Sequence, residues 1–147
     1  MKWHHYGKVW MQGIQVRSEN EIRSMRQPER ARVAKSDQGI ARIFTGLTNV
    51  PKMDTASPFK VKLVVTHYRV RSLDDDNLIG GFKSYRDGLK ARRPKLPKGI
   101  KLKVKFDPDG WIFEDSRKWL EVEHKEILVP SSQVGIMIDF YCPAENA

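Results

Sequence analysis

The sequence predicts an α+β domain in which helices pack on a mixed or antiparallel sheet, and three observations support this prediction. Segments in which apolar residues alternate with polar ones occur early, in the middle and late in the chain. Two segments between them space their apolar residues with the period of a helix. The chain has 147 residues, a length that suits one domain over residues 1–147.

The first half of the chain predicts a strand, a helix and a second strand. The stretch YGKVWMQGIQVR is rich in aromatic and β-branched residues and indicates a strand or hairpin. Residues 18–47 form a basic, partly helix-spaced segment, in which Pro28 suits a helix start and Gly46 a helix end. After the loop NVPKMDTASP, the stretch FKVKLVVTHYRV alternates and then becomes apolar, which predicts a strand inside a sheet.

A helix is predicted directly after this strand, beginning near Asp76 with that residue as its N-cap. Its apolar residues fall at i, i+4, i+7 and i+11 and form one stripe: Leu78, Phe82, Tyr85 and Leu89. A second stripe lies nearly opposite: Asp76, Gly80, Lys83 and Asp87. Because Gly80 lacks a Cβ atom, we expect it to let a bulky anion approach this polar stripe.

The stretches WLEVEHKEILV and VGIMIDFYC predict two antiparallel strands joined by the turn PSSQ. A basic insertion at about residues 90–106 precedes them and contains no acidic residue. Its second half alternates strictly and predicts a strand with one lysine-covered face that contacts nucleic-acid phosphates. An edge strand that lysines protect from aggregation is the alternative. The DNA-binding residues expected in this insertion are Arg92, Arg93, Lys95, Lys98, Lys101, Lys103 and Lys105.

The charge balance favours a nucleic-acid partner. The formal net charge is +9, from 27 Lys and Arg residues against 18 Asp and Glu residues. A basic face that only meets solvent is the alternative. The single cysteine, Cys142, excludes a disulfide within the chain and a zinc site built from thiolates. No signal-peptide pattern or apolar run of membrane-spanning length is present, so we expect a cytoplasmic protein without a membrane partner.

Three consecutive carboxylates, in the stretch DDDN at residues 74–77, stand out in so basic a chain. Like charges this close repel one another unless water, a cation or a helix N-terminus relieves them. In an extended segment Asp74 and Asp76 would share one face while Asp75 points away. Such a pair suits Mg²⁺ or Mn²⁺, provided that a further carboxylate comes from elsewhere in the chain. An N-cap with solvated neighbours is the alternative.

At this point the residues resemble the RusA-type endodeoxyribonucleases, which resolve Holliday junctions and are frequent in phages and prophages. The family pattern is Asp-x-Asp-Asn, then a Lys four residues before an Asp-x-Leu. A Gly, an apolar turn and an acidic pair followed by a small polar residue come later. The matching residues in this chain are Asp74, Asp76, Asn77, Lys83, Asp87, Leu89, Gly110, Glu114, Asp115 and Ser116.

The resemblance implies a RusA-like fold and a Mg²⁺-dependent nuclease that cuts branched DNA. It implies that Asp74, Asp76 and Asp115 bind the metal and that Lys83 supports catalysis near the scissile phosphate. Asn77, Asp87 and Glu114 match the motif as supporting residues. The resemblance also implies a homodimer, whose two active sites suit the two-fold symmetry of a four-way junction.

Three features depart from the family pattern. Glu114 stands where an Asp is usual, the link between Asn77 and Lys83 is longer than in the best-known member, and the basic insertion is an addition. Two other functions therefore stay open. One is a DNA-binding protein on the same scaffold that does not cut, and the other is a phage structural or host-interaction protein whose basic face binds an acidic partner.

Overall fold

The computed structural model describes residues 2–91, 99 and 110–147. Seven main elements follow one another: β1 (Trp3–Gln12), α1 (Glu19–Ser24), α2 (Gln27–Gly46), β2 (Val61–Arg69), α3 (Asp75–Leu89), β3 (Leu120–Leu128) and β4 (Gly135–Pro143). Two short 3₁₀ turns, Ser131–Gln133 and Ala144–Asn146, precede and follow β4. The α+β class is confirmed, whereas the strand predicted in the basic insertion lies outside the described residues. None of the described helices is long and apolar enough to cross a membrane.

The four strands form one mixed sheet in the order β1-β4-β2-β3. Strand β4 is antiparallel to both of its neighbours, β1 and β2, while β2 and β3 are parallel. The prediction of two antiparallel strands joined by a turn at PSSQ is confirmed, but the two strands do not pair with each other, because β2 lies between them. Between β2 and β3 the chain crosses back through α3, the usual connection of parallel strands. Strand β3, with its exposed Glu and Lys residues, suits a sheet edge.

The helices cover one face of the sheet. Every second residue of β2 from Val61 to His67 is buried, and so are the four residues of the apolar stripe predicted on α3. The rings of His67 and Phe82 meet edge to face with their centroids 6.0 Å apart, which places α3 on the His67 side of the sheet. Burial of this stripe forces the opposite face of α3 outward.

Helix α3 begins two residues earlier than the prediction. Its N-cap is Asp74, whose carboxylate accepts the backbone N–H of Asn77 at 3.0 Å, and Asp75 and Asp76 lie in the first helical turn. A cap must be extended and must reach a donor in the first turn, and Asp74 meets both conditions with φ −68° and ψ 163°. The two following carboxylates gain from the helix dipole.

Two glycines of α3 allow backbone from other elements to approach the helix closely. A Cβ atom on Gly81 would lie 2.0 Å from the carbonyl oxygen of Arg17, and one on Gly88 would lie 2.4 Å from that of Gln38 in α2. Neither distance is compatible with a side chain. These glycines therefore reduce helix propensity but are required by the packing around α3.

Backbone hydrogen bonds join the two ends of the basic insertion, at the points where the chain leaves and re-enters the described structure. We call this set of contacts the closed base. Leu89 accepts backbone N–H groups from Trp111 at 2.8 Å and Ile112 at 3.1 Å, and Ala91 donates to Ile112 at 2.8 Å. Gly110 packs against Ala91 so closely that a Cβ atom would lie 2.2 Å from the Ala91 nitrogen. Residues 92–109 thus connect two points that are already neighbours.

The packing of α3 makes Gly81→Ala a sharp test of this arrangement. We expect the free energy of unfolding to fall by about 1–3 kcal/mol, because the new methyl group meets backbone that cannot move aside cheaply. The matched control is Gly39→Ala in α2, where a Cβ atom meets nothing within 4 Å and the variant should gain up to about 1 kcal/mol. Urea denaturation followed by circular dichroism measures both. Equal effects of the two substitutions would contradict the close approach.

Candidate functional site

The first part of the site is a hydrogen-bonded cap where the DDDN stretch begins α3. One oxygen of Asp74, Oδ1, accepts both the backbone N–H and the side-chain amide of Asn77, at 3.0 and 2.8 Å. The amide oxygen of Asn77 in turn accepts the backbone N–H of Asn20 in α1, at 3.3 Å. Asp74 and Asn77 therefore fix the start of α3 and join it to α1.

The loop that leads into this cap is held by β3. The Glu126 carboxylate accepts the backbone N–H of Leu73 at 2.9 Å and the hydroxyl of Ser72 at 2.5 Å. Arg69 at the end of β2 also accepts the N–H of Val129 through its carbonyl, at 2.8 Å. The position of Asp74 is thus set by contacts at the C-terminal ends of both parallel strands, β2 and β3.

The second part is an open concavity of about 480 Å³ on the outward face of α3. Its chemistry comes from Asp76, Lys83 and Arg86, as the helical spacing of the first two predicts. Among the described residues, neither Asp76 nor Lys83 makes an ion pair or a side-chain hydrogen bond. The concavity therefore presents one free carboxylate and one free ammonium group to the same space.

Gly80 lies in this concavity, but the space over it is occupied. A Cβ atom on Gly80 would lie 2.7 Å from the carboxyl carbon of Glu19, whose side chain runs across the helix at this point. Glu19 also pairs with Arg23 at 3.0 Å. The expectation that Gly80 makes room for an anion is therefore wrong for this arrangement, because the missing Cβ atom makes room for α1.

Arg86 connects this concavity to a neighbouring one. Both are lined by Ile79 and Arg86, and the second also contains Asp115 and His124. The Arg86 guanidinium pairs with Asp115 at 3.3 Å, and its side chain is only 19% exposed. Its Nε atom is buried and has no hydrogen-bond partner within the described part of the chain. Arg86 is therefore a largely desolvated cation at the boundary of the two concavities.

The structure does not gather the three carboxylates that the resemblance implies as metal ligands. Asp115 lies beside Arg86, Asp74 caps α3, and Asp76 faces the first concavity. In residues 2–91 and 110–147, no group of three or more His, Cys, Asp or Glu side chains is placed to hold a metal ion. The donor chemistry suits Mg²⁺, but the ligand set does not fit the ion in this arrangement.

The remaining predicted site residues lie near these concavities or outside the residues that the structure describes. Asp87 pairs with Lys90 at 3.3 Å, and Glu114 lines a third depression together with Asp115 and Ser116. The seven DNA-binding residues expected in the insertion all lie outside the described residues.

A histidine pair under α3 was not identified as part of a site from the sequence. His67 is fully buried, and its Nε2 atom lies 2.9 Å from Nδ1 of His124 on the neighbouring strand, with the rings stacked. The signal was available in the alternation of β3, which turns Leu120, Val122 and His124 toward the core. Glutamate and lysine neighbours hid that pattern.

Burial keeps both histidines neutral. It lowers the pKa of His67 to about 3, with His124 and Arg69 acting in the same direction. It also lowers the pKa of His124 to about 4, where Arg86 adds to the effect and Asp75 opposes it.

The charge of Asp75 therefore favours protonation of His124 on β3. The expected alternation, with Asp75 pointing away from a face shared by Asp74 and Asp76, is wrong because Asp75 and Asp76 follow helical spacing, about 100° apart.

Compared with known proteins, the chain gives no significant match to a family model, to a curated protein or to a solved structure.

The histidine pair predicts acid-sensitive stability. Both histidines bind protons more readily in the unfolded chain, near the ordinary value of 6.5, than in the folded one. The free energy of unfolding is therefore at its full value above about pH 6.5 and decreases as the pH drops toward 4. At pH 5 the decrease is on the order of 1–2 kcal/mol per histidine. His67→Leu should reduce this acid-dependent decrease in the free energy of unfolding by about half. Thermal melts from pH 8 to pH 4.5 measure it.

The control for this experiment is His4→Asn, which changes an exposed histidine of β1. It should leave the pH dependence as it is in the unaltered protein. If His67→Leu keeps the full acid loss, another group is responsible.

Proposed function

We propose that the chain is a Mg²⁺-dependent endodeoxyribonuclease of RusA type that hydrolyses phosphodiester bonds in Holliday junctions or other branched DNA. The observation that carries the proposal is the concavity in which Asp76 and Lys83 stand open, two helical turns apart, beside Arg86. Asp76 and Lys83 come from the motif that resembles the RusA pattern, and the net charge of +9 suits a DNA substrate. A RusA-like fold and a single domain remain part of the proposal.

In this proposal Lys83 and Arg86 receive the phosphate. Lys83 is exposed on a flexible stem and would offset charge that develops on the phosphate oxygens. Arg86 has a buried stem, so its guanidinium is held in place before the substrate arrives. A guanidinium can donate two parallel hydrogen bonds to a phosphate, which would orient the strand as well as neutralise it.

The metal is the part of the proposal that needs a rearrangement. The resemblance implies Asp74, Asp76 and Asp115 as ligands of Mg²⁺, with Mn²⁺ as a substitute, and Asp115 would first have to leave Arg86. When bound, such an ion would polarise the phosphodiester and lower the pKa of a bound water. Arg86 and Asp115 pair at 3.3 Å, so we expect metal binding to break this ion pair.

Partners and location belong to the same proposal. A homodimer would present two sites to a two-fold symmetric junction, and the cytoplasm of a bacterial host, with a phage or prophage gene, is the expected setting. The paired state of Asp115 also favours a second candidate, a DNA-binding protein on this scaffold that does not cut. Against it, free acids such as Asp76 only repel DNA in the absence of a cation.

Cleavage of a labelled four-way junction tests the proposal. With Mg²⁺ we expect symmetric nicks that EDTA abolishes. Lys83→Ala should slow cutting about 100-fold, because it removes charge stabilisation at the phosphate, and Asp76→Asn at least as much. The control is Lys35→Ala on α2, a lysine that lines none of the concavities on α3. It should cut at the rate of the unaltered protein.

Each outcome selects one function. Metal-dependent nicks that require Lys83 support the nuclease, whereas tight junction binding with no cutting in Mg²⁺ or Mn²⁺ supports the non-catalytic DNA-binding protein. If the protein neither binds nor cuts linear duplex or junction, a structural or host-interaction protein with an acidic partner is supported instead.

The basic insertion gives a separate prediction. If it contacts DNA, replacing Lys101, Lys103 and Lys105 by Glu should weaken junction binding and lower the slope of log K against log salt by about one unit per lost contact. The control makes the same charge change at Lys2, Lys35 and Lys125, which are exposed elsewhere. Fluorescence anisotropy at several salt concentrations measures both. Unchanged affinity would leave the lysines as protection of an edge strand.

A further inference from the structure

A second depression continues the Asp76 and Lys83 concavity away from β3. It lies between α1, α2 and α3 and shares four residues with that concavity, so the two form one continuous surface. The shared residues are Glu19, Arg23, Gly80 and Lys83. We call this second depression the α1–α2 groove. Its own lining includes Arg30 and the apolar side chains of Ile22, Val33 and Ala34.

The charges of the α1–α2 groove do not cancel. Glu19 pairs with Arg23 at 3.0 Å and Asp87 pairs with Lys90 at 3.3 Å, so both acids of the groove are already neutralised. Arg30 donates to the carbonyl oxygen of Met25 at 3.1 Å and has no carboxylate partner among the described residues. Arg30 and Lys83 thus leave excess positive charge along the groove, which attracts an anion.

The lining of the groove fits one strand of nucleic acid better than an isolated anion. The cations in its lining match phosphates that repeat along a backbone, and the aliphatic side chains of Ile22, Val33 and Ala34 match sugar and base surface. No aromatic side chain lines the groove within the described residues, so base stacking contributes nothing there. Binding should therefore depend on the backbone and be insensitive to sequence.

We propose that the α1–α2 groove binds a stretch of one DNA strand that flanks the phosphate held at Asp76 and Lys83, with Arg30 contacting its backbone. The assignment of the flanked phosphate rests on the proposed function, whereas binding of the strand does not require that it be cut. Helices α1 and α2, and not the basic insertion alone, then set the path of the DNA.

Charge reversal at Arg30 tests the groove. In EDTA, where no cutting occurs, Arg30→Glu should weaken binding of a fluorescein-labelled single strand and of a four-way junction by about tenfold. The salt slope should fall by about 0.7–0.9 for each phosphate contact that is lost. The matched control is Arg32→Glu, the same charge change on the same helix, exposed and outside the groove. It should stay within about twofold of the unaltered protein.

A steric variant separates groove binding from general electrostatics. Ala34→Phe places a large side chain in the groove without changing charge and should weaken binding of both probes, while Ala31→Phe, exposed on the same helix and outside the groove, should not. Thermal melts confirm that each variant is folded. Equal effects of Arg30→Glu and Arg32→Glu, or no effect of Arg30→Glu and Ala34→Phe, would overturn the proposal.

The outcomes also separate this proposal from the nuclease. If Arg30→Glu loses binding and the unaltered protein does not cut, the groove proposal is supported and the nuclease is rejected. If the unaltered protein cuts and Arg30→Glu binds normally, the nuclease is supported and the groove proposal is rejected. If the unaltered protein binds neither probe, both proposals are rejected.

Discussion

Burial of one stripe of α3 against the sheet determines where every candidate residue of that helix lies. Because Phe82 and its neighbours in the stripe face the core, Asp76 and Lys83 must face solvent on the opposite side. Residues of α3 between these two faces point toward neighbouring elements. Arg86 therefore pairs with Asp115 near β3, and the charge of Asp75 raises the pKa of His124. The packing of a single helix thus distributes charge around the site.

The part of the structure that follows from local periodicity was predictable. The apolar stripe of α3, the strand before it and the α+β class all depend on residues that are near each other in sequence. The neighbour of β3 was not predictable, because strand pairing is a choice between distant segments that both alternate. The N-cap shifted from Asp76 to Asp74 because the side chain two residues earlier reaches the first-turn N–H groups.

The same limit applies to the candidate site. Asp76 and Lys83 share a concavity because helical spacing alone brings them together. Asp115 has no such constraint, because it is far from α3 in the sequence. Its position depends on which charged side chain it pairs with in the folded protein. In this structure that charge is Arg86, a guanidinium with little solvent around it and therefore a strong competitor for any carboxylate. A metal or a phosphate would have to compete for the same two groups.

The closed base at Leu89, Ala91 and Ile112 has a consequence for how the chain could be divided. A cut anywhere within residues 92–109 would separate a piece ending after α3 from a piece holding β3 and β4. Strand β4 lies between β1 and β2, so the second piece is inserted into the sheet of the first and hydrogen-bonded on both sides. The two halves are therefore complementary, and separately expressed they have the means to reassemble into one sheet without the covalent link.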